Sequence, residues 1–223
     1  DIQVIRVPPR AQQFLQPMLV IVFLHQLQDR IGAQSGARRG GRQQTKERLK
    51  QMFLLRQPNE TLIRRFLASQ KDLPFSYSQV GATQTTPPSG YTVDHNRIKL
   101  GEGRETFMRA SDALSKWRHF DLGWASVVPH GSPLQSGTTV AVKAHTFGFW
   151  SLNACRIVYT INEDGPVKKF GFAYGTLPDH AERGEERFMI ECLEDNSVWY
   201  DIYAFSLPQK AIVKLSLPLA RRL

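Results

Sequence analysis

Between residues 169 and 178 bulky rings alternate with small residues: Phe170, Phe172 and Tyr174 take every second position, with Gly171, Ala173 and Gly175 between them. On a strand such alternation sends the rings to one face and leaves the other nearly bare. A bare face invites close approach, so a helix or a ligand is expected against it. The same period-two pattern marks further strands over residues 91–100, 124–128, 138–144, 154–161, 187–193 and 198–205, punctuated by Pro, Gly and Asn/Asp clusters. Short links at residues 161–166 and 194–196 read as hairpin turns, which makes neighbouring strands antiparallel. Against this background residues 104–120 stand out. Phe107, Ala110, Leu114 and Trp117 recur at spacings of three and four, the stripe of an amphipathic helix. Glu102 and Glu105 near its start, and Arg118 and His119 near its end, complement the helix dipole. A terminal helix over residues 209–223, interrupted at Pro218, completes the pattern. The expected fold is α+β: one long helix packed on a curved, mainly antiparallel sheet, with a C-terminal helix in a helix-grip-like arrangement.

The front of the chain differs in kind. Its first 60 residues hold ten Lys/Arg against four acids, a net +6 of the chain's +9, and leave +3 for the remainder. The high pI of 9.8 therefore belongs mostly to this segment, and the charge is no argument for nucleic-acid binding. Residues 36–42, Gly-Ala-Arg-Arg-Gly-Gly-Arg, bury too little apolar surface to order themselves. The apolar run at 18–24 is far below the ~20 residues of a spanning helix. An Arg-rich, acid-poor front before a short apolar run superficially fits a targeting segment, but no small-residue cleavage pattern follows it. A weak helix over residues 43–68 should break at Pro58. Two units are expected: a largely disordered basic extension over 1–71 that adds little to folding, and one α+β domain over 72–223. Cys155 and Cys192 each sit within strand-like alternation, as small buried hydrophobes do, so reduced, cytoplasmic residence is expected. An organelle or a membrane surface is the alternative location.

Several ordered motifs carry a resemblance. Gly101-Glu102-Gly103-Arg104-Glu105, Trp117-Arg118-His119-Phe120, the run from Gly171 through His180 with Gly184-Glu185-Glu186, and Val198-Trp199-Tyr200 with Ala204-Phe205-Ser206 resemble uncharacterised protein family 0548, a domain-of-unknown-function family of bacteria and plants. The likeness covers about residues 75–223. It implies no established reaction and no catalytic residues. Some plant members of the family are associated with the chloroplast outer envelope and a channel-like activity, but this chain lacks the extended lipid-facing alternation of a closed barrel.

Candidate chemistry is sparse, with no cofactor fingerprint, metal cluster or nucleophilic triad. The connection at 176–186 packs His180, four carboxylates and Arg183 together, which allows an acid/base pair of His180 with Glu185 or Glu186, or a solvated loop of local ion pairs. Asp201 lies in an apolar strand on the side of Trp199, Tyr203 and Phe205, and Arg156 could pair with it or face it across a cavity. The leading expectation is a binding domain for a small hydrophobic, amphipathic or lipid-like molecule. Its lining would be Tyr174, Thr176, His180, Glu186, Arg156, Trp199 and Asp201, with neither cofactor nor metal. The alternatives are an enzyme using His180, Glu185, Glu186 or Asp201, and a membrane-associated or channel-like protein.

Overall fold

The computed structural model describes residues 53–146 and 148–208. The expected linker at 36–42, the apolar run at 18–24 and the terminal helix at 209–223 lie outside the described residues. The chain order is β1 (Phe53–Leu54), α1 (Glu60–Gln70), a 3-10 turn (Ala82–Gln84), β2 (Thr92–Glu102), α2 (Gly103–Ser115), a 3-10 turn (Arg118–Phe120), then β3 (Ala125–Val128), β4 (Thr139–Thr146), β5 (Phe149–Asp164), β6 (Lys168–Thr176), β7 (Glu182–Cys192) and β8 (Ser197–Pro208). One curved antiparallel sheet runs β2-β8-β7-β6-β5-β4-β3, and β1 adds a short pairing to β5. The expected α+β arrangement of a helix held on a curved antiparallel sheet is therefore the fold of the chain.

Register fixes two faces. Phe172 stands opposite Phe188, which stands opposite Ile202, so the rings of β6 share one face with Phe188, Ile190, Tyr200 and Ile202. This inner face carries α2: Ala110 and Leu114 pack with Phe120, Val140, Val142, Ile157 and these sheet residues in the main core. The outer face carries α1, whose Phe66 packs with Val128, Ala141, Leu152, Ala154 and Leu177.

Helix α2 stops five residues short of its expected end. Trp117 takes a left-handed φ of 59°, turns its ring into the core at 4.7 Å from Phe172, and donates its indole N–H to Ser132 O at 2.8 Å. Burying a large ring with its polar handle satisfied outweighs continuing the helix. The break expected at Pro58 is observed as a start: Asn59 caps α1 by accepting from Leu62 N–H at 2.9 Å. The packed unit thus begins upstream of residue 72, because α1 lies inside the segment expected to add little to folding.

Candidate site on the inner face of the sheet

The small face of β6 is closely approached at Gly175, by a connecting segment of the chain in place of a helix. A Cβ on Gly175 would lie 2.2 Å from the Tyr77 hydroxyl and 2.9 Å from the Phe75 ring, so the segment connecting α1 to β2 occupies the space. That segment is held by Glu185. Its Oε2 accepts from Tyr77 O–H at 2.6 Å and Gly81 N–H at 2.7 Å, and its Oε1 from Thr83 N–H at 3.0 Å and the Thr83 hydroxyl. Arg187 beside it donates to Thr83 O at 3.1 Å and Asp201 Oδ1 at 2.8 Å, while His95 Nε2 meets Asp201 Oδ2 at 2.7 Å. Arg156 donates to Gln70 O, Lys71 O and Leu73 O at 3.0, 2.6 and 3.0 Å, closing the C-terminus of α1, where orphan carbonyls favour a cation. Arg156 and Asp201 therefore do not pair with each other. Trp199 is on this outer face too, with the Arg97 guanidinium 5.1 Å from its ring centroid.

The turn after β6 is no solvated loop. Asp179, His180 and Glu182 are buried, and His180 Nδ1 lies 3.0 Å from both the N–H and the carbonyl of Glu182. Burial lowers the His180 pKa to about 4. Strand β7 begins at Glu182 because residues 182–186 pair with 204–208, so Glu185 and Glu186 are strand neighbours facing opposite sides of the sheet. Thr176 at the end of β6 accepts from Gly184 N–H at 2.9 Å and meets the Ser76 hydroxyl at 2.6 Å.

The inner face differs in its polar accounting. Glu186 is buried, with a single neutral donor, the Tyr174 hydroxyl at 2.8 Å. Burial raises its pKa to about 7, only partly offset by Tyr174, and Asp94 raises it further. Tyr200 and His119 are each about 5% exposed, their ring centroids 6.4 Å apart, and among the described residues neither the Tyr200 hydroxyl nor either His119 nitrogen has a hydrogen-bond partner. Burial lowers the His119 pKa to about 3, so it is neutral and cannot complement a helix dipole as a cation. His119 lies among rings, 4.7 Å from Phe188 and 4.6 Å from Phe120 by centroid. Beside Glu186, a cavity of about 10 Å³ is lined by Tyr174, Thr176, Gly184, Glu185, Glu186, Phe205 and Ser206. That is the room of a single water.

Of the expected site residues, Tyr174, Thr176 and Glu186 thus come together, whereas Arg156, Trp199 and Asp201 serve the outer face and His180 its own turn. Sequence reasoning missed His119 and Tyr200. Tyr200 was within reach, since it alternates with Val198 and Ile202; choosing Trp199 and Asp201 selected the opposite face. For His119, the flanking Trp117 and Phe120 signalled an apolar setting.

Among the described residues no group of three His, Cys, Asp or Glu side chains is placed to hold a metal ion, and no helix is long and apolar enough to cross a membrane. Cys155 and Cys192 are both free and buried. Structural comparison aligns the chain with the major latex-like protein 151 of Panax ginseng at 14% identity and a TM-score of 0.34, covering 57% of this chain and 91% of that one. It also aligns human STARD10 at 9% identity and a TM-score of 0.37, covering 75% and 77%. In sequence, a UPF0548 protein of Dictyostelium discoideum is 36% identical over 190 residues, 76% of this chain and 88% of the relative. Another UPF0548 protein, from Deinococcus radiodurans, is 33% identical over 181 residues, 75% and 89% of the two chains. The profile described as "Domain of unknown function (DUF1990)" matches residues 76–223, and the chain belongs to that family, the uncharacterised family 0548 its motifs resemble.

Proposed function

We propose that the chain binds a small amphipathic molecule between α2 and the inner face of the sheet, its apolar body against Phe172, Phe188 and Trp117 and its polar end at Tyr200, His119 and Glu186. The observation supporting this is the pair of buried side chains, Tyr200 and His119, whose side-chain polar atoms have no partner among the described residues. An orphaned buried donor or acceptor costs about 1–3 kcal/mol, and folded proteins hold few of them. Two neighbouring ones, on the same face as an underpartnered carboxyl, supply a polar end for hydrogen bonds within an aromatic wall. A guest larger than water needs more room than the cavity beside Glu186 gives. The turn carrying Trp117 and His119 is the element that would have to shift, and its orphaned imidazole would gain a partner when the guest seats.

An enzyme drawing on His180, Glu185, Glu186 and Asp201 has less support, because Glu185, Asp201 and His180 are each committed to partners elsewhere. Two free, buried thiols fit a reducing compartment such as the cytoplasm. Native mass spectrometry of the gently purified full chain tests the binding reading. A retained small molecule is expected on the wild type, and loss of most of it on Tyr200→Phe and Tyr174→Ala. A guest held equally by both variants would place binding elsewhere.

A further inference from the structure

The buried charges of the described residues are one-sided. Asp179, Glu182, Glu185, Glu186, Glu191 and Asp201 are buried, and no Lys or Arg is. Glu185 has its four donors, Asp201 has Arg187 and His95, and Glu191 has Arg97 at 2.7 Å. Glu186 has one phenol and no cation, with Asp94 adding like charge. A buried carboxylate is stable only when paired and hydrogen-bonded.

We propose that the polar end of the guest is a protonated amine seated on the Glu186 carboxylate. This rests on reading the inner face as the binding site and names the class of molecule that fits it. An ammonium carries three donors and no acceptor. The inner face carries acceptors on three residues: the Glu186 carboxylate, the Tyr200 hydroxyl oxygen and a ring nitrogen of the neutral His119. An alcohol would use the hydrogen bonds and leave the carboxylate without a counter-charge. A carboxylate or phosphate would add a second negative charge where no Lys or Arg is buried to receive it.

The test is isothermal titration calorimetry of the full chain at neutral pH with three probes of equal length: hexylamine, 1-hexanol and hexanoate. Hexylamine is expected to bind at least about 10-fold more tightly than 1-hexanol, with hexanoate weakest. In Glu186→Gln the advantage of the amine over the alcohol should be lost, the ratio of the two affinities falling by about 10-fold. Equal or tighter binding of 1-hexanol or hexanoate by the wild type overturns the proposal. That ranking decides the matter even if the Gln variant fails to fold. If the alcohol binds and is lost in Tyr200→Phe without an amine preference, the site stands and the amine is wrong. If none of the three binds and no guest is retained in native mass spectrometry, the site itself is refuted along with it.

Discussion

Glu185 and Glu186 are chemically alike and adjacent, yet one holds a segment to the outer face with four accepted hydrogen bonds and the other lies on the inner face with one. Strand parity alone separates them. Glu185→Ala should lower stability by about 3 kcal/mol or more in urea titration, since it orphans Tyr77, Thr83 and the Gly81 N–H together. Tyr200→Phe should do the reverse and raise stability by about 1 kcal/mol, because it removes a buried hydroxyl that has no partner. A loss of stability in Tyr200→Phe would mean that the hydroxyl is satisfied in solution. Tyr174 and Glu186 of the site were legible in the sequence, but Tyr200 and His119 were not, nor were the partners of the charged residues. Arg156 and Asp201 looked complementary, whereas Arg156 is taken by carbonyls from Gln70, Lys71 and Leu73, 83–86 residues away, and no local pattern announces such a contact.

At the level of elements, alternation was a faithful guide wherever one face of a strand is buried, which is why every expected strand is present within a few residues. It failed at the start of β7, where the turn-forming residues around Pro178 and Gly184 mask five paired residues of strand. It failed also at the end of α2, where the apolar stripe continues to Trp117 although the helix does not. What covers the small face of β6 was out of reach, because the covering segment is rich in Pro, Ser, Thr and Gln and reads as solvent-facing. Gly175→Val should therefore cost about 1–3 kcal/mol by forcing Tyr77 and Phe75 outward. Helix α1 gives a second check. Deleting residues 1–70 removes the buried Phe66, the Gln70 bond to Asp179 at 2.7 Å and one of the three carbonyls that receive Arg156. The melting temperature should fall by more than about 5 °C. An unchanged value would show that the domain folds without α1.

Over the whole molecule, the two faces differ: on the outer face a polar network centred on Glu185 and Arg187 fastens the segment between α1 and β2, and on the inner face Tyr200 and His119 lie within an aromatic core with no partner among the described residues for any side-chain polar atom. That difference sets the response to pH. His119 and His180 have folded pKa values lowered by burial to about 3 and about 4 from 6.5, so the unfolded chain takes up protons first; their contribution is full above 6.5 and is lost as pH falls toward 4 and then 3. Glu186 acts oppositely: its folded pKa is raised to about 7 from 4.5, so its contribution is full below 4.5 and is lost as pH rises through 7. His119→Phe should flatten the acid limb of a melting-temperature profile, and Glu186→Gln the limb between 4.5 and 7. The binding claim itself is tested most directly by side-chain proton NMR of the full chain during titration with hexylamine and, separately, 1-hexanol. The ring protons of His119 and Tyr200 should shift progressively with at least one of the two probes while those of His95 and Tyr77 on the outer face stay in place; shifts confined to the outer rings, or none with either probe, would contradict the account.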